Sequence, residues 1–204
     1  MVFIVEFYKN LLFLASGSPR RKELLTLAGF NFTVCPAKGE EVTTKKTLPC
    51  DIVCELAHQK AFEIAKAQKA PCYVIGADTI VAFENRILGK PKDSADAVRM
   101  VSMLQGSTHQ VYTGVTLIEV CADGSLREKS FYEETNVHVC QMTKDEIASY
   151  VATGEPLDKA GAYGIQGTFS IYVSGIEGDY FNVVGLPVSR LYHEFAAFQN
   201  AAHK

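Results

Sequence analysis

Two observations predict an α/β protein, a mixed sheet flanked by helices. Apolar runs of strand length alternate with segments of helical periodicity. Two long strand-like segments are joined at Asp123-Gly124, a hairpin dipeptide. Because strands form hairpins as well as alternating with helices, a purely parallel, doubly wound sheet is not expected. The 204 residues are 48% apolar, with 20 Lys and Arg against 23 Asp and Glu, a formal net charge of −3. Such a chain fills one large domain or two lobes sharing a core.

Phe3 to Ala15 reads as a buried first strand with a short extension in front. Ser16-Gly17-Ser18 is the turn into a helix from Pro19 to about Ala28. Ser18 is its natural cap, Pro19 suits the first position because its missing donor would be unpaired there, and Gly29 stops it. Asn31 to Leu48 reads as strand then polar loop. Pro49 opens a long amphipathic helix with the stripe Val53, Leu56, Ala57, Ala61 and Ile64, ended by Pro71. Tyr73 to Val81 is a buried strand turning at Glu84-Asn85-Arg86, and Lys90-Pro91 leads into a helix capped by Asp93. That helix carries Ala97, Val98, Val101 and Leu104 on one face and ends near Gly106. The hairpin strands are His109 to Val120 and Leu126 to Cys140. Thr143-Lys144-Asp145-Glu146 is a capping box opening a helix that ends at Gly154. A Gly-rich loop from Asp158 to Gly167, a strand from Phe169 to Ser174 and a helix from about Pro187 to Gln199 complete the chain.

Several function classes are disfavoured. Duplex nucleic acid and anionic membrane attract clustered Lys and Arg, which a near-neutral chain lacks. No run approaches the roughly 20 apolar residues of a spanning helix. Leu11 to Gly17 resembles a signal-peptide core but lacks its basic flank, so a strand is the better reading. The six cysteines form no CxxC or zinc pattern and read as reduced packing thiols of a cytoplasmic protein. The five histidines show no metal spacing, and no GxSxG elbow is present.

Five features carry chemical potential. The turn Ser16 to Arg21 leads into a helix N-terminus, where free backbone donors and the helix dipole favour a phosphate. Two arginines there are unfavourable in themselves, so either an anion sits between them or the helix is capped and the arginines are solvated. Lys60 falls within the apolar stripe of its helix, either to meet a phosphate or to snorkel along the surface. Asp78 is a carboxylate inside a hydrophobic strand, which suits a metal or catalytic role ahead of a structural ion pair. Lys90, between Gly89 and Pro91, is a point-charge phosphate ligand or an exposed turn lysine. The glycines from Asp158 to Gly167, with Gln166 among apolar residues, suit a loop that wraps a small molecule or one that holds no ligand.

Leu14-Ala15-Ser16-Gly17-Ser18-Pro19-Arg20-Arg21, Gly76-Ala77-Asp78-Thr79, Gly89-Lys90-Pro91 and the run from Asp158 to Gly167 together resemble the Maf family of nucleoside triphosphate pyrophosphatases, in the family's order. The resemblance implies a single Maf-like domain over residues 1–204, with 1–10 as an N-terminal extension. It also implies an elongated mixed α/β fold like the inosine triphosphatases, two lobes around a deep cleft, and often a homodimer. The implied reaction releases pyrophosphate and a nucleoside monophosphate with a divalent metal, magnesium first and manganese or cobalt as alternatives. Ser16, Arg20, Arg21, Lys60 and Lys90 match the family's phosphate-binding set. Glu41 and Asp78 match its acidic, metal-holding pair, with Asp78 at the place of the proton acceptor. Arg20, Thr79 and Gln166 match the branch that hydrolyses dTTP and UTP, and Gln166 can both donate and accept, as a uracil or thymine edge requires. The competing expectations are a non-catalytic nucleotide sensor affecting cell division and a purine-directed enzyme acting on ITP or 7-methyl-GTP.

Overall fold

The computed structural model describes residues 11–39, 46–69, 71–84 and 86–201. Phe3 to Asn10 of the expected first strand, Glu41 and Asn85 lie outside them. In chain order the strands are β1 (Leu11–Leu14), β2 (Thr33–Val34), β3 (Cys72–Phe83), β4 (Arg86–Leu88), β5 (Thr108–Val120), β6 (Leu126–Val139) and β7 (Val173–Glu177). The helices are α1 (Pro19–Leu27), α2 (Pro49–Ala67), α3 (Ser94–Leu104), α4 (Lys144–Ala152), α5 (Tyr180–Val184) and α6 (Val188–Asn200).

Among the described residues the sheet is ordered β2-β1-β3-β5-β6-β7, with β4 paired to β3. β1 runs parallel to β2 and to β3, whereas β4 is antiparallel to β3 and β7 to β6. The sheet is therefore mixed, as expected, because both helical crossovers and hairpins build it. The chain divides into two compact units. Unit 1 comprises Met1–Asp78, Gly114–Tyr132 and Gly185–Lys204, and unit 2 comprises Thr79–Thr113 and Glu133–Val184.

Within unit 1, Ala61, Ile64 and Ala65 of α2 pack on Val74 of β3 and Ile118 of β5. Two glycines set how closely α2 sits. A Cβ on Gly76 would lie 2.3 Å from the Ala57 carbonyl oxygen, and one on Gly114 would lie 2.3 Å from that of Val53. The backbones meet where side chains are missing. Within unit 2, α3 and α4 bury Val101, Leu104, Ile147 and Tyr150 around Phe169, which is fully enclosed.

Several local expectations hold for local reasons. The Asp93 carboxylate accepts from Asp96 N at 2.8 Å, and both halves of the Thr143–Glu146 capping box form. Gly29, Gly106, Gly124 and Gly154 all take the left-handed conformation at the ends of their elements. Others need correction. Ser18 caps nothing with its side chain; its N–H donates to Ser16 Oγ at 3.3 Å. On α3, Met100 is buried and Val98 exposed, since Met100 shares the 3.6-residue face of Ala97, Val101 and Leu104. Phe169 to Tyr172 is not strand but a 3-10 turn, and β7 starts only at Val173. Its aromatic content signals strand, yet ring packing of Phe169 on Tyr150, Tyr163 and Tyr172 decides otherwise. The short helix α5 escaped the periodicity altogether.

Candidate functional site

Unit 1 builds its polar constellation at the carboxyl end of β1. Leu14 pairs with Ile75 in the parallel register, and Ala15 N donates to Ile75 O at 2.8 Å, so the Ser16-Gly17-Ser18 turn leaves β1 beside Gly76 and Ala77 of β3. Pro19 opens α1 as expected, with no acidic residue in the first turn to offset the helix dipole. Arg20, Arg21 and Lys22 occupy that turn instead. Ser16 is buried and its Oγ accepts from Arg21 Nη1 at 3.1 Å, while Arg21 Nε donates to Gly185 O at 2.9 Å. Arg21 therefore braces the turn as well as charging it. Arg20 is half-buried and makes no side-chain hydrogen bond among the described residues.

The second element of unit 1 is an ion pair between Lys60 Nζ and Asp78 Oδ1, with side chains 19% and 13% exposed. Gly76 explains it. By admitting Ala57 and Ala61 against the strand, it brings the next turn of α2 within reach of the carboxylate two residues along β3. The buried-facing lysine and the strand carboxylate thus resolve each other, since a charge held this far from water needs an opposite one. Glu41, the second expected carboxylate, lies outside the described residues.

Unit 2 holds Thr79, Lys90 and Gln166. Thr79 Oγ1 lies 2.9 Å from Thr113 Oγ1, and the fully buried Thr113 hydroxyl donates to the Asn182 carbonyl oxygen at 3.0 Å. Lys90 is exposed at the end of the β3–β4 hairpin. Its neighbour Gly89 accepts from Gly161 N at 3.0 Å, tying the glycine loop to the lysine's turn. The loop is a chain of short 3-10 turns in which Gly161 and Ala162 both adopt positive φ. Gln166 is exposed on it, flanked by Gly164 and Gly167.

Two groups that sequence reasoning missed, the buried His109 and the half-buried Glu155, hold this loop. Tyr163 OH meets His109 Nε2 at 2.8 Å; burial, with a smaller contribution from His138, pushes His109 down to about 4. Glu155 accepts from Thr168 N and Thr168 Oγ1, both at 2.8 Å, and from Tyr150 OH at 3.2 Å. Burial pushes the Glu155 carboxyl up, but those donors outweigh it and hold it below its ordinary value. A Cβ on Gly167 would fall 2.1 Å from Glu155 Oε1, and one on Gly164 would fall 2.7 Å from Lys159 Cε, so both glycines rest on these side chains. The glutamate after Gly154 and before Pro156 was the available signal.

A cationic helix N-terminus following a parallel strand, next to a half-buried Lys–Asp pair, defines a class: α/β proteins suited to phosphate-bearing ligands. Residues 11–198 match the model of the Maf-like protein family, and the chain belongs to it. It is 55% identical over 193 residues to a dTTP/UTP pyrophosphatase of Agathobacter rectalis, covering 89% of this chain and 94% of the relative. It is 51% identical to the proteins of that name from Lachnoclostridium phytofermentans and Bacillus cytotoxicus, covering 91% and 93% of this chain and 93% and 96% of the relatives. Among solved structures, the nucleoside-triphosphatase / dITP/XTP pyrophosphatase of Mycobacterium abscessus aligns over 93% of this chain and 96% of its own at 12% identity, with a TM-score of 0.43. A likeness that loose adds nothing to the family assignment.

Proposed function

We propose that this chain hydrolyses dTTP and UTP, and by extension 5-modified pyrimidine nucleotides, to the nucleoside monophosphate and pyrophosphate. The substrate class rests on relatives at 51–55% identity that carry this activity in their names. The observation that carries the chemistry is the Lys60–Asp78 pair beside the arginine-bearing turn. A nucleoside triphosphate brings about four negative charges, so several cations are needed to hold it. Ser16, Arg20, Arg21, Lys60 and Lys90 serve as that set, while Thr79 and Gln166, with Arg20, face the base.

Asp78 then accepts a proton from the water that attacks the α-phosphorus. The new bond forms from the water oxygen to phosphorus, the bond to the bridging oxygen breaks, and pyrophosphate leaves with the electron pair. Lys60 steers the carboxylate through Oδ1 and offers its positive charge to the phosphates. A divalent cation fits the donor chemistry, because magnesium takes one or two protein carboxylates and completes its shell with phosphate oxygens and water. Asp78 and Glu41 would hold it, and manganese or cobalt would accept the same oxygens. When bound, the cation neutralises phosphate charge and polarises the reacting centre. A homodimer and a cytoplasmic setting complete the proposal and rest on the family resemblance; among the described residues no helix is long and apolar enough to cross a membrane.

The test is pyrophosphate release from dTTP, UTP, CTP, ITP and 7-methyl-GTP, with magnesium and with chelator. Metal-dependent turnover of dTTP and UTP is expected, and Asp78→Asn should lower kcat by about 10²–10⁴-fold without unfolding the protein. Tight nucleotide binding without turnover would instead make the chain a sensor. Preference for ITP or 7-methyl-GTP would make it purine-directed.

A further inference from the structure

Hydrogen counting in unit 2 fixes the polarity of Thr79. A hydroxyl has one hydrogen and two lone pairs. Thr113 Oγ1 lies 3.0 Å from the Asn182 carbonyl oxygen, which can only accept, so the Thr113 hydrogen is committed there. Toward Thr79, 2.9 Å away, Thr113 then has only lone pairs to offer, and Thr79 must be the donor. The hydrogen of Thr79 is turned inward, and the hydroxyl presents lone pairs to any other partner.

The arrangement is rigid. Asn182 is fully buried, and its Nδ2 donates to Val111 O and to Thr135 Oγ1, both at 3.0 Å. Thr135 Oγ1 in turn donates to Asp179 O at 3.0 Å and accepts from Asp179 N at 3.1 Å. The helix α5 that supplies the Asn182 carbonyl is thereby pinned to β5 and β6. Thr113 itself has no exposure and cannot turn its hydrogen to water.

From this we infer that Thr113 is a specificity-positioning residue that makes Thr79 an obligate acceptor toward the pyrimidine. The inference rests on the proposed reading that Thr79 and Gln166 face the base. Uracil and thymine carry a donor at N3, whereas cytosine carries a lone pair there. An amide such as Gln166 donates from one end and accepts at the other, so a half-turn matches it to either edge. Polarity that cannot invert has to come from elsewhere, and the Thr79–Thr113–Asn182 chain supplies it. A lone pair facing the N3–H of dTTP or UTP is an attraction; facing cytosine N3 it leaves two acceptors opposed, which discriminates against the wrong base.

The experiment compares kcat/KM for dTTP with that for dCTP in the wild type, Thr113→Val, Thr113→Ser and Thr79→Val, with melting temperature as a folding control. Thr113→Val removes the acceptor that holds the Thr79 hydrogen inward, so the dTTP/dCTP ratio should fall at least tenfold, mainly through a rise for dCTP, with kcat for dTTP within a few-fold. Thr113→Ser restores the hydrogen bond and should keep the ratio. Thr79→Val removes the lone pair itself, so the dTTP/dCTP ratio should fall mainly through loss of dTTP turnover, a result available even if Thr113→Val does not fold; an unchanged ratio in that variant also overturns the inference. An unchanged ratio in Thr113→Val, or a proportional loss for both nucleotides, overturns the inference, as does a wild type that turns over both equally. Failure of the wild type to release pyrophosphate from dTTP and UTP would sink the pyrophosphatase reading instead.

Discussion

At the residue scale the chain's main device is close approach. Lys60 and Asp78 stand 18 positions apart in sequence and meet where α2 lies close against β3 at Gly76, which has no side chain. A methyl group there would press on the backbone of α2, which has no flexible end to yield. Gly76→Ala should therefore destabilise by about 1–3 kcal/mol, as overpacked cores do, and lower kcat further than the loss of folded protein explains, since Lys60 moves with the helix. Urea midpoints and activity on the folded fraction measure the two effects separately. An alanine variant with wild-type stability would remove Gly76 from this account.

At the scale of elements, the loop from Glu155 to Thr168 is held from beneath. Its glycines sit on Glu155 and Lys159, and Lys159 Nζ donates to Glu155 O at 2.8 Å. Removing the carboxylate leaves the Thr168 N–H and hydroxyl and the Tyr150 hydroxyl to find water. Glu155→Ala should cost about 1–3 kcal/mol of stability, and Glu155→Gln less, because an amide oxygen still accepts from Thr168. Chemical denaturation of both variants gives the comparison; equal losses would mean that the negative charge, and not the acceptor oxygen alone, holds the loop. Motifs on this loop were legible in sequence because glycines and an isolated glutamine are local signals. The Glu155 seat was not, since a glutamate in a turn is more often solvated.

At the scale of the whole molecule, one buried group gives the stability a pH dependence of known sign. His109 takes up a proton near 6.5 when unfolded and near 4 when folded, so between those values the unfolded chain binds the extra proton. The contribution is fully present above pH 6.5 and is lost as pH falls toward 4, by up to about 3 kcal/mol. Glu146, Glu155 and Glu194, held below the ordinary 4.5, begin to lose their contributions only as pH falls through 4.5, at the low end of that window. His109→Phe should therefore flatten the decline of the denaturation midpoint between pH 6.5 and 4.5, at the expense of the Tyr163 hydrogen bond. An unaltered slope would show that another group titrates there.

The sequence by itself determined the helices from Pro19, Pro49 and Asp93, the capping box, the Asp123-Gly124 hairpin and the phosphate-suited turn. Each of these follows from chemistry within about seven residues: a missing donor, a capping oxygen, a glycine able to take positive φ, or an apolar period. Only the tertiary structure decided that Lys60 answers Asp78, that Phe169 to Tyr172 packs as a turn and not a strand, and that Thr113 directs the hydrogen of Thr79. Those outcomes depend on contacts made across 18, 19 and 34 positions of chain for Lys60–Asp78, Tyr150–Phe169 and Thr79–Thr113. Burial and hydrogen-bond valence choose among such partners, and neither exists until the chain has folded.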